Sequence, residues 1–373
     1  MAMMPAHNPR GSMARERLWV GLDVGADDMV VCGTDHQGRV IFEQSVLNTA
    51  AALDAVLRPE KRRIKLIGLE SGSQAIPLTR SLRKLGYNVA VYNARQSSKF
   101  LAIRQNKTDR NDARGLADIA RLGGDSVSEV RVKSKECQRL RSMLVTRQKL
   151  VRLKVALDGA LRALIRLNGG KLERSANDAA RRSKVATQLK LIRKREKVDL
   201  SEDVEAMLTL SEALGAFMAS MDRRLSKMAG ELPVCRNFLG IPGVGPICAL
   251  SFYSAVDDPA RFKRNADVGP YLGMVPVVRQ SGQSTSRRRI SKMGDPMTRS
   301  YLSTAALVHL RFAKSALSQW GASLAERRGK RQAQIAVGRK LAVIMLAMWK
   351  SNEPYDAHRG LGASTDAKDM IVA

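Results

Sequence analysis

The first hundred residues alternate between short apolar runs and turn residues, which is the pattern of β-strands. Residues 18–47, LWVGLDVGADDMVVCGTDHQGRVIFEQSVL, predict two or three strands with turns at Gly25–Asp28 and Asp35–Gly38. Two further apolar runs, IKLIGLE and NVAVY, flank the basic amphipathic stretch PLTRSLRKLGY, which predicts a helix that stops at Gly86. Strands followed by a strand–helix–strand unit predict an α/β domain built on a mixed sheet.

After about residue 130 the spacing of apolar residues becomes helical. They recur every seven positions from Met143 to Leu164, and the scheme returns from Val204 to Met228. Two heptad stretches separated by the basic, polar segment 168–200 predict an antiparallel helical hairpin or coiled-coil arm. We expect such an arm to act as a scaffold or as a contact between subunits.

The last part of the chain is predicted to be mostly helical. It begins with FLGIPGVGPICALSF, where Gly243 and Gly245 lie in a G-x-P-G-x-G turn of the helix-hairpin-helix form. N–H groups at the start of the following helix can bind a phosphate, so contact with DNA or RNA is predicted, although Gly-Pro turns also join helices that bind nothing. The predicted division is a tail at 1–17, an α/β domain at 18–128, an arm at 129–235, a helical domain at 236–356 and a tail at 357–373.

The charge of the chain indicates a polyanionic partner. The 373 residues include 64 Lys and Arg against 35 Asp and Glu, a formal net charge of +29. Such an excess favours nucleic acid. Aromatic residues make up only 4% of the chain, so contact with the phosphate backbone is the expected mode, rather than stacking of bases on an aromatic surface.

Two other classes of protein are disfavoured by the sequence. The four cysteines are scattered without a C-x₂-C pair, so we expect buried, reduced thiols rather than a zinc site or disulfides. No run approaches the ~18 consecutive apolar residues that span a bilayer, and the first eighteen residues lack the apolar core of a signal peptide. The protein is therefore expected in the cytoplasm, with no membrane partner.

Four acidic residues occupy positions where an isolated charge is unfavourable. Asp23 lies within the apolar run VGLDVG, and Glu70 ends the run IGLESG. Asp109 and Asp112 share one face of a helix predicted over 108–120, which Thr108 or Asp109 can cap.

Each of these carboxylates needs a compensating cation or a hydrogen-bond donor. Either nearby Lys107, Arg110 and Arg114 neutralise the helical pair, or a hard divalent cation such as Mg²⁺ binds all four acids. Two metals ~3.5–4 Å apart would bind the attacking and leaving oxygens of a phosphodiester.

A Ser/Gly loop and a basic cluster lie further along the chain, in VVRQSGQSTSRRRISKMGDP. Ser281, Ser284, Ser286 and Ser291 are all plausible loop residues. The cations here are candidates for phosphate contact, or simply a solvated face: Arg287, Arg288, Arg289 and Lys292. Lys107 and Arg114, beside the helical acids, are candidates of the same kind.

The order of the four acids resembles the RNase H/RuvC-like domain of the DEDD transposases of the insertion-sequence 110 family. The matching phrases are GLDVG, LESGS and NKTDRNDARGLA. The resemblance implies that Asp23, Glu70, Asp109 and Asp112 bind the divalent metal, Mg²⁺ or Mn²⁺.

The S-G-x-S phrase that begins at Ser281, followed by SKMG at 291–294, resembles the C-terminal transposase domain of the same family. There a serine attacks DNA, which implies a phosphoserine–DNA intermediate at Ser281. The resemblance covers 18–125 and 236–356, and the arm between them is similar only in character.

The resemblance implies a recombinase that cleaves and rejoins donor and target DNA, guided by a bridge RNA and assembled as a dimer or tetramer through the arm. The expected location is the bacterial nucleoid. None of the four histidines adjoins Ser281 in sequence, although His309 could approach it through folding. We therefore expect the metal to assist the leaving oxygen while Ser281 attacks, after the domains dock within one chain or between subunits.

Two alternatives remain open at the level of sequence. One is a structure-selective nuclease in which the four acids activate water and Ser281 is incidental. The other is a nucleic-acid architectural protein without catalytic activity.

Overall fold

The computed structural model describes residues 16–103, 106–123, 127–281 and 284–358, with only the backbone described within 278–288. The chain forms two compact units that divide between Val132 and Lys133. Each unit has its own hydrophobic core.

The first unit is built on a five-stranded mixed sheet, as predicted. The strand order is β3-β2-β1-β4-β5. The first three strands are antiparallel neighbours, whereas β1, β4 and β5 run parallel. The bounds are Leu18–Val24 for β1, Asp28–Thr34 for β2, Val40–Leu47 for β3, Ile64–Glu70 for β4 and Val89–Tyr92 for β5.

Four helices cover this sheet: Ala50–Leu57 (α1), Ala75–Lys84 (α2), Ala94–Leu101 (α3) and Asp109–Leu122 (α4). On one face, Leu22 and Leu69 of the central strands pack with Leu53 of α1 and Leu82 of α2. The other face is covered by α4, whose Leu116 lies in a separate small core. The hydrophobic pattern predicts α2 and α4 but not the eight-residue helices α1 and α3.

The second unit begins with three helices: Lys135–Leu167 (α5), Asp178–Glu196 (α6) and Ser201–Glu231 (α7). The helices α5 and α7 run antiparallel, with Arg147 Nη2 3.0 Å from Asp222 Oδ2 and Lys154 Nζ 2.7 Å from Ser211 Oγ. The segment predicted as a polar insert contains α6. Its apolar residues pack with α5 and α7 in a small core at the far end of the pair, lined by Leu161, Ile165, Val185, Ile192, Val204 and Leu208.

The remainder of the second unit is helical, apart from one β-hairpin. Its elements are Pro233–Leu239 (α8), Pro246–Val256 (α9), Val268–Tyr271 (α10), Pro276–Ser281 (β6), Ser284–Ile290 (β7), Pro296–Phe312 (α11), Ala316–Arg328 (α12) and Lys330–Ser351 (α13). Its core also includes Leu144 of α5 and Leu225 of α7, so α5 contributes to two separate cores. The three-domain boundaries given above stay a prediction.

Two expectations about composition bear on the second unit. Cys137, Cys235 and Cys248 are buried there and form no disulfide, and the same holds for Cys32 in the first unit, in agreement with the predicted reduced thiols. In the described part of the chain, α7 is the one helix with the length and composition of a membrane span, with a mean hydropathy of 1.2 over its most apolar window. Its pairing with α5 through Arg147 and Asp222 accounts for it as half of a helical hairpin.

Candidate functional site

Two glycines lie side by side in the centre of the sheet. Gly21 of β1 is the register partner of Gly68 of β4. Alternate residues of a strand face the same side, so Asp23 shares a face with Gly21 and Glu70 shares a face with Gly68. The phrases G-L-D and G-L-E therefore bring two carboxylates to adjacent strands, at the carboxyl edge of the parallel pair.

Helix α4 lies directly on these glycines. A Cβ atom at Gly21 would be 2.0 Å from the carbonyl oxygen of Ala113, and one at Gly68 would be 3.1 Å from that of Leu116. Real Cβ atoms are not found as close as the first of these distances, so only glycine fits at position 21 without a shift of the helix. The missing side chains allow the backbone of α4 to pack closely against the sheet.

The first turn of α4 carries the other two acids. Thr108 caps the helix, since its side chain accepts a hydrogen bond from the Asn111 N–H at 3.2 Å, which confirms the predicted cap. Asp109 and Asp112 follow in the first turn, where the helix dipole favours negative charge. Ala113, above Gly21, comes directly after this turn.

The electrostatics of the four acids show that they form one cluster. The pKa of Asp23 is raised above its usual value, first by burial and then by the charges of Asp112 and Asp109. The pKa of Glu70 is raised by burial and then by the charges of Asp23 and Asp112. In both cases the positive charge of Lys107 opposes the rise. The structure thus brings together the four acids that the sequence singled out.

These carboxylates lack protein partners. Across the described ranges, none of the four accepts a hydrogen bond or forms an ion pair, and Lys107 forms no ion pair with them. The predicted neutralising residues Arg110 and Arg114 instead contact Glu43 of β3. No sequence pattern predicts this role of Glu43. Arg114 remains a predicted phosphate contact, although its guanidinium is occupied by this carboxylate.

The chemistry of the donor set fits a hard divalent cation. Carboxylate oxygens are the ligands that Mg²⁺ and Mn²⁺ prefer. The four carboxylates are loosely arranged. Among the described residues, the group whose ligand atoms all lie within 4.8 Å of one another is formed instead by Glu16, Asp35 and His36. That second group is a poor metal site, since Arg39 lies 2.6 Å from Asp35 and 3.7 Å from Glu16 and already supplies a positive charge.

The predicted nucleophile lies at the end of β6. Ser281 is the register partner of Ser284 across the β6–β7 hairpin. The side chains of Ser281, Arg287 and Arg288 lie outside the described part of the structure, as do residues 282–283. Arg289, in β7, is exposed.

The base of this hairpin is fixed by backbone hydrogen bonds. The N–H of Ser291 donates to Val275 at 2.8 Å, and that of Lys292 donates to Gly273 at 3.1 Å. Lys292 has a positive φ of 55°, which is uncommon for a residue with a side chain. The phrase SKMG thus forms a defined turn at the base of the hairpin.

The helix-hairpin-helix turn joins α8 to α9. Gly243 has φ of 93°, and a Cβ there would lie 2.5 Å from the carbonyl oxygen of Ala305. Gly245 precedes α9 as its N-cap, with nothing within 4 Å of its would-be Cβ. The backbone at Gly245 is therefore open to a ligand, while Gly243 is held against α11.

His309 supports this turn from the interior. Its Nδ1 is 2.8 Å from the carbonyl oxygen of Pro242, and its Nε2 is 2.9 Å from Ser315 Oγ. The residue is 0% exposed. The idea that His309 approaches Ser281 as a base is therefore wrong for this structure, because both ring nitrogens are engaged in the core.

The arm carries an apolar groove that is open to solvent. It is lined by Leu153, Ala156, Leu157, Ala160, Leu210 and Leu214. Leu153 is 57% exposed, Leu210 is 54% exposed, and the neighbouring Phe217 is 66% exposed. Large apolar side chains exposed in one contiguous patch mark an interaction surface.

Comparisons with known proteins agree with this arrangement. Residues 20–167 match the model of the DEDD transposases of the IS110 type, and residues 235–320 match that of the transposase IS116/IS110/IS902 family. The first range contains all four clustered acids, and the second contains the β6–β7 hairpin and both glycines of the helix-hairpin-helix turn.

Three relatives match along most of their length. The transposase for insertion sequence element IS1111A of Coxiella burnetii is 28% identical, over 90% of each chain. A probable family 20 transposase of Pseudomonas aeruginosa is 26% identical over 88% of this chain and 96% of its own. The transposase for insertion sequence element IS1328 of Yersinia enterocolitica is 23% identical over 87% of this chain and 94% of its own. The chain belongs to the DEDD transposases of the IS110 family and is an enzyme that acts on DNA.

Proposed function

We propose that this transposase cleaves and rejoins DNA by metal-dependent phosphoryl transfer, with the metal held by Asp23, Glu70, Asp109 and Asp112. The observation that carries the proposal is the uncompensated charge of these acids. After burial, the charges of Asp112 and Asp109 raise the pKa of Asp23, and those of Asp23 and Asp112 raise the pKa of Glu70. No described arginine or lysine forms an ion pair with the four acids. A divalent cation is the partner that this arrangement lacks.

The topology of the first unit supports an RNase H/RuvC-like fold. Three antiparallel strands are followed by two parallel ones, in the order β3-β2-β1-β4-β5. Acids from β1, from β4 and from the start of α4 then converge at one edge of the sheet. When bound, Mg²⁺ or Mn²⁺ supplies Lewis-acid stabilisation of the developing charge on the phosphate and on the leaving oxygen.

Ser281 is the proposed nucleophile. Its Oγ would form a bond to phosphorus as the bond from phosphorus to the 3′ oxygen of the DNA breaks. The serine proton passes to a base and the 3′ oxygen gains a proton, so the phosphodiester becomes a phosphoserine. The reverse attack by a 3′ hydroxyl reseals the strand without ATP, since the phosphodiester energy is retained.

Contacts to nucleic acid are proposed at several basic or glycine-rich positions: Lys107, Arg114, Gly243, Gly245, Arg287, Arg288, Arg289 and Lys292. The open backbone at Gly245 and the formal net charge of +29 support such contacts. The bridge RNA rests on the family resemblance and on this charge, which suits an enzyme that binds RNA and DNA together. Action on DNA would place the protein at the nucleoid of the bacterial cytoplasm.

A dimer or tetramer through the arm is also proposed. The exposed groove on α5 and α7 supports it, because the face is apolar and self-complementary contacts between identical helical hairpins bury such faces. We take the occupant of the groove to be the arm of a second subunit.

A denaturing gel with end-labelled DNA tests the catalytic proposal. In Mg²⁺, the wild-type protein should leave DNA covalently attached, and both Ser281→Ala and Asp109→Ala should abolish the adduct. Two controls should retain it: Ser284→Ala on the same hairpin, and Asp118→Asn on the same helix, where Asp118 is an acid paired with Arg121.

Other results would favour the alternatives. Cleavage that persists in Ser281→Ala without an adduct would indicate a nuclease that activates water. DNA affinity that survives every Asp→Ala change, with no cleavage in Mg²⁺, would indicate an architectural protein.

A further inference from the structure

Glu43 lies on the face of the sheet that α4 covers. Gly21 of β1 pairs with Cys32 of β2, and Cys32 pairs with Glu43 of β3, so the three form one row across the sheet. Adjacent strands are ~4.8 Å apart, which places the backbone of Glu43 roughly 10 Å from Gly21. Glu43 therefore approaches α4 from the side, next to the glycines over which the helix crosses.

The Glu43 carboxylate holds two cations of α4. Its Oε2 accepts from Arg114 Nε at 2.5 Å, and its Oε1 accepts from Arg114 Nη2 at 3.1 Å. Arg110 Nε lies 3.5 Å from the same carboxylate. The Glu43 side chain is 11% exposed, whereas that of Arg114 is 39% exposed and that of Arg110 is 77% exposed. The two-point contact with Arg114 is therefore partly shielded from solvent, and Arg110 approaches the same carboxylate from the surface.

The two arginines and the two helical acids occupy the same turns of α4. Arg110 and Arg114 are four residues apart and share one face, whereas Asp109 and Asp112 share the adjacent face. If Glu43 did not bind Arg110 and Arg114, the unpaired carboxylates of Asp109 and Asp112 would lie within about one side-chain length of both guanidinium groups. Lys107, by contrast, is the cation whose charge acts on Asp23 and Glu70.

We propose that Glu43 is a positioning residue that diverts Arg110 and Arg114 from the four acids and so keeps these acids free to bind a divalent cation. The inference rests on the proposed metal site. Its physical basis is competition between arginine and the metal ion for the same carboxylates, because a guanidinium beside a carboxylate supplies the positive charge that the metal ion would otherwise supply. The role is distinct from that of a metal ligand, since Glu43 is engaged by the arginines.

The test measures binding of Mn²⁺ to the full-length protein after removal of metals by EDTA, from the electron paramagnetic resonance signal of free Mn²⁺. We compare the wild type, Glu43→Gln, and the triple variant Glu43→Gln/Arg110→Gln/Arg114→Gln. Glu43→Gln should raise the Mn²⁺ dissociation constant roughly fivefold to tenfold, as the freed arginines take up the acids. The triple variant should return to within about twofold of the wild type, because the competing charges are gone.

A merely structural role for Glu43 predicts no recovery of Mn²⁺ binding in the triple variant. If the residue only attaches α4 to β3, the triple variant lacks the same attachment and binds Mn²⁺ no better than Glu43→Gln. Thermal unfolding should show both variants destabilised alike, so only the Mn²⁺ titration separates the roles. Absence of rescue, or an unchanged dissociation constant in Glu43→Gln, overturns the inference.

Two matched variants complete the design. Glu60→Gln releases Arg63, which pairs with Glu60 at 2.8 Å. Arg63 lies just before β4, at the end of the strand opposite to Glu70. This variant should therefore leave Mn²⁺ binding unchanged. Glu43→Asp keeps the charge and should bind Mn²⁺ within about twofold of the wild type.

Asp112→Asn separates this inference from the proposed function. If the wild type binds Mn²⁺ no better than Asp112→Asn, the metal site itself fails. If Asp112→Asn abolishes binding while Glu43→Gln matches the wild type, only the inference about Glu43 fails.

Discussion

Gly21 and Gly68 are register partners in adjacent parallel strands, and the backbone of one helix crosses directly above both. The distance between this helix and the sheet is set by the absence of two Cβ atoms. Because Asp23 follows Gly21 by two residues, and because the helix begins with Asp109 and Asp112, the same close approach determines how near the acids lie to one another.

Gly21→Ala should displace α4 and disperse the acidic cluster. The new Cβ would meet the Ala113 carbonyl oxygen at 2.0 Å, so the helix must move or strain. We expect a loss of about 2–3 kcal/mol in the free energy of unfolding, together with weakened Mn²⁺ binding. Urea denaturation and Mn²⁺ titration check this. Gly72→Ala, whose Cβ would meet nothing within 4 Å, is the control, and equal behaviour of the two variants would contradict the close-packing argument.

Asp112→Asn should stabilise the metal-free protein. A carboxylate whose pKa is raised in the folded state contributes stability below its unfolded pKa and loses it as pH rises through the folded pKa, so Asp23 and Glu70 cost stability at pH 7. Removing the charge of Asp112 relieves part of this cost and also removes a favourable interaction with the helix dipole. We expect the relief of repulsion to be the larger effect, with a net gain of about 0.5 kcal/mol.

Thermal unfolding in EDTA at pH 7 should therefore give a higher midpoint for Asp112→Asn, and the increase on adding Mg²⁺ should shrink. Asp118→Asn, on the same helix, removes a charge that pairs with Arg121 at 3.2 Å and should not stabilise the protein. A lower midpoint for Asp112→Asn in EDTA would show that its charge is compensated.

Lys133 should make stability depend on pH in the alkaline range. Burial, and then the charge of Arg141, lower the pKa of Lys133 to about 8, while its Nζ donates to the Ala255 carbonyl oxygen at 2.5 Å. The unfolded chain binds the proton more tightly than the folded one between this pKa and the ordinary value of 10.5, so stability rises with pH across that window.

The free energy of unfolding of the wild type, minus that of Lys133→Met, should increase by roughly 1–3 kcal/mol from pH 8 to pH 10.5. Chemical denaturation at intervals of half a pH unit measures it. Lys227→Met, at an exposed position on α7, should run parallel to the wild type. A constant difference for Lys133→Met would mean that the buried amine is solvated.

Charges in the arm groove should dissociate the oligomer. Leu153→Glu combined with Leu210→Glu places two carboxylates on the exposed groove, where a second subunit would have to bury them. We expect the dissociation constant of the oligomer to rise more than about 100-fold, since each lost apolar anchor contributes ~2 kcal/mol or more. Light scattering coupled to size-exclusion chromatography reports the mass.

Leu167→Glu changes a more exposed leucine at the end of α5, outside the groove, and is the control for added charge. An unchanged mass for the groove variant would exclude this face as the contact.

The convergence of Asp23, Glu70, Asp109 and Asp112 could be predicted because each acid is indicated by residues that are close to it in the sequence. A carboxylate two residues after a strand glycine, and two acids after a capping threonine, each specify a place on one element, and parallel strands present their ends at one edge. The strands and α4 follow from the same short patterns.

Glu43 could not be found in this way. Its contact with Arg114 joins residues 71 positions apart, and a glutamate in a strand whose residues are all exposed or half-buried resembles an ordinary solvated residue. The core position of His309 is also non-local, since its partner Pro242 lies 67 positions away, although Ser315 is only six positions away. Helix α6 is not predicted by the hydrophobic pattern, because its few apolar residues, among them Val185 and Ile192, are spread through a strongly basic sequence.

Helix α5 anchors at both ends, with Leu144 in the large core of the second unit and Ile165 in the small core at the far end of the arm. The whole helix is 33 residues long without a break, a length of about 50 Å. Because the helix is unbroken, a displacement of the small core at the far end of the arm is transmitted along α5 to the large core of the second unit. A partner that binds the far end of the arm can therefore alter the packing of the large core, which belongs to the part of the second unit that contains the β6–β7 hairpin.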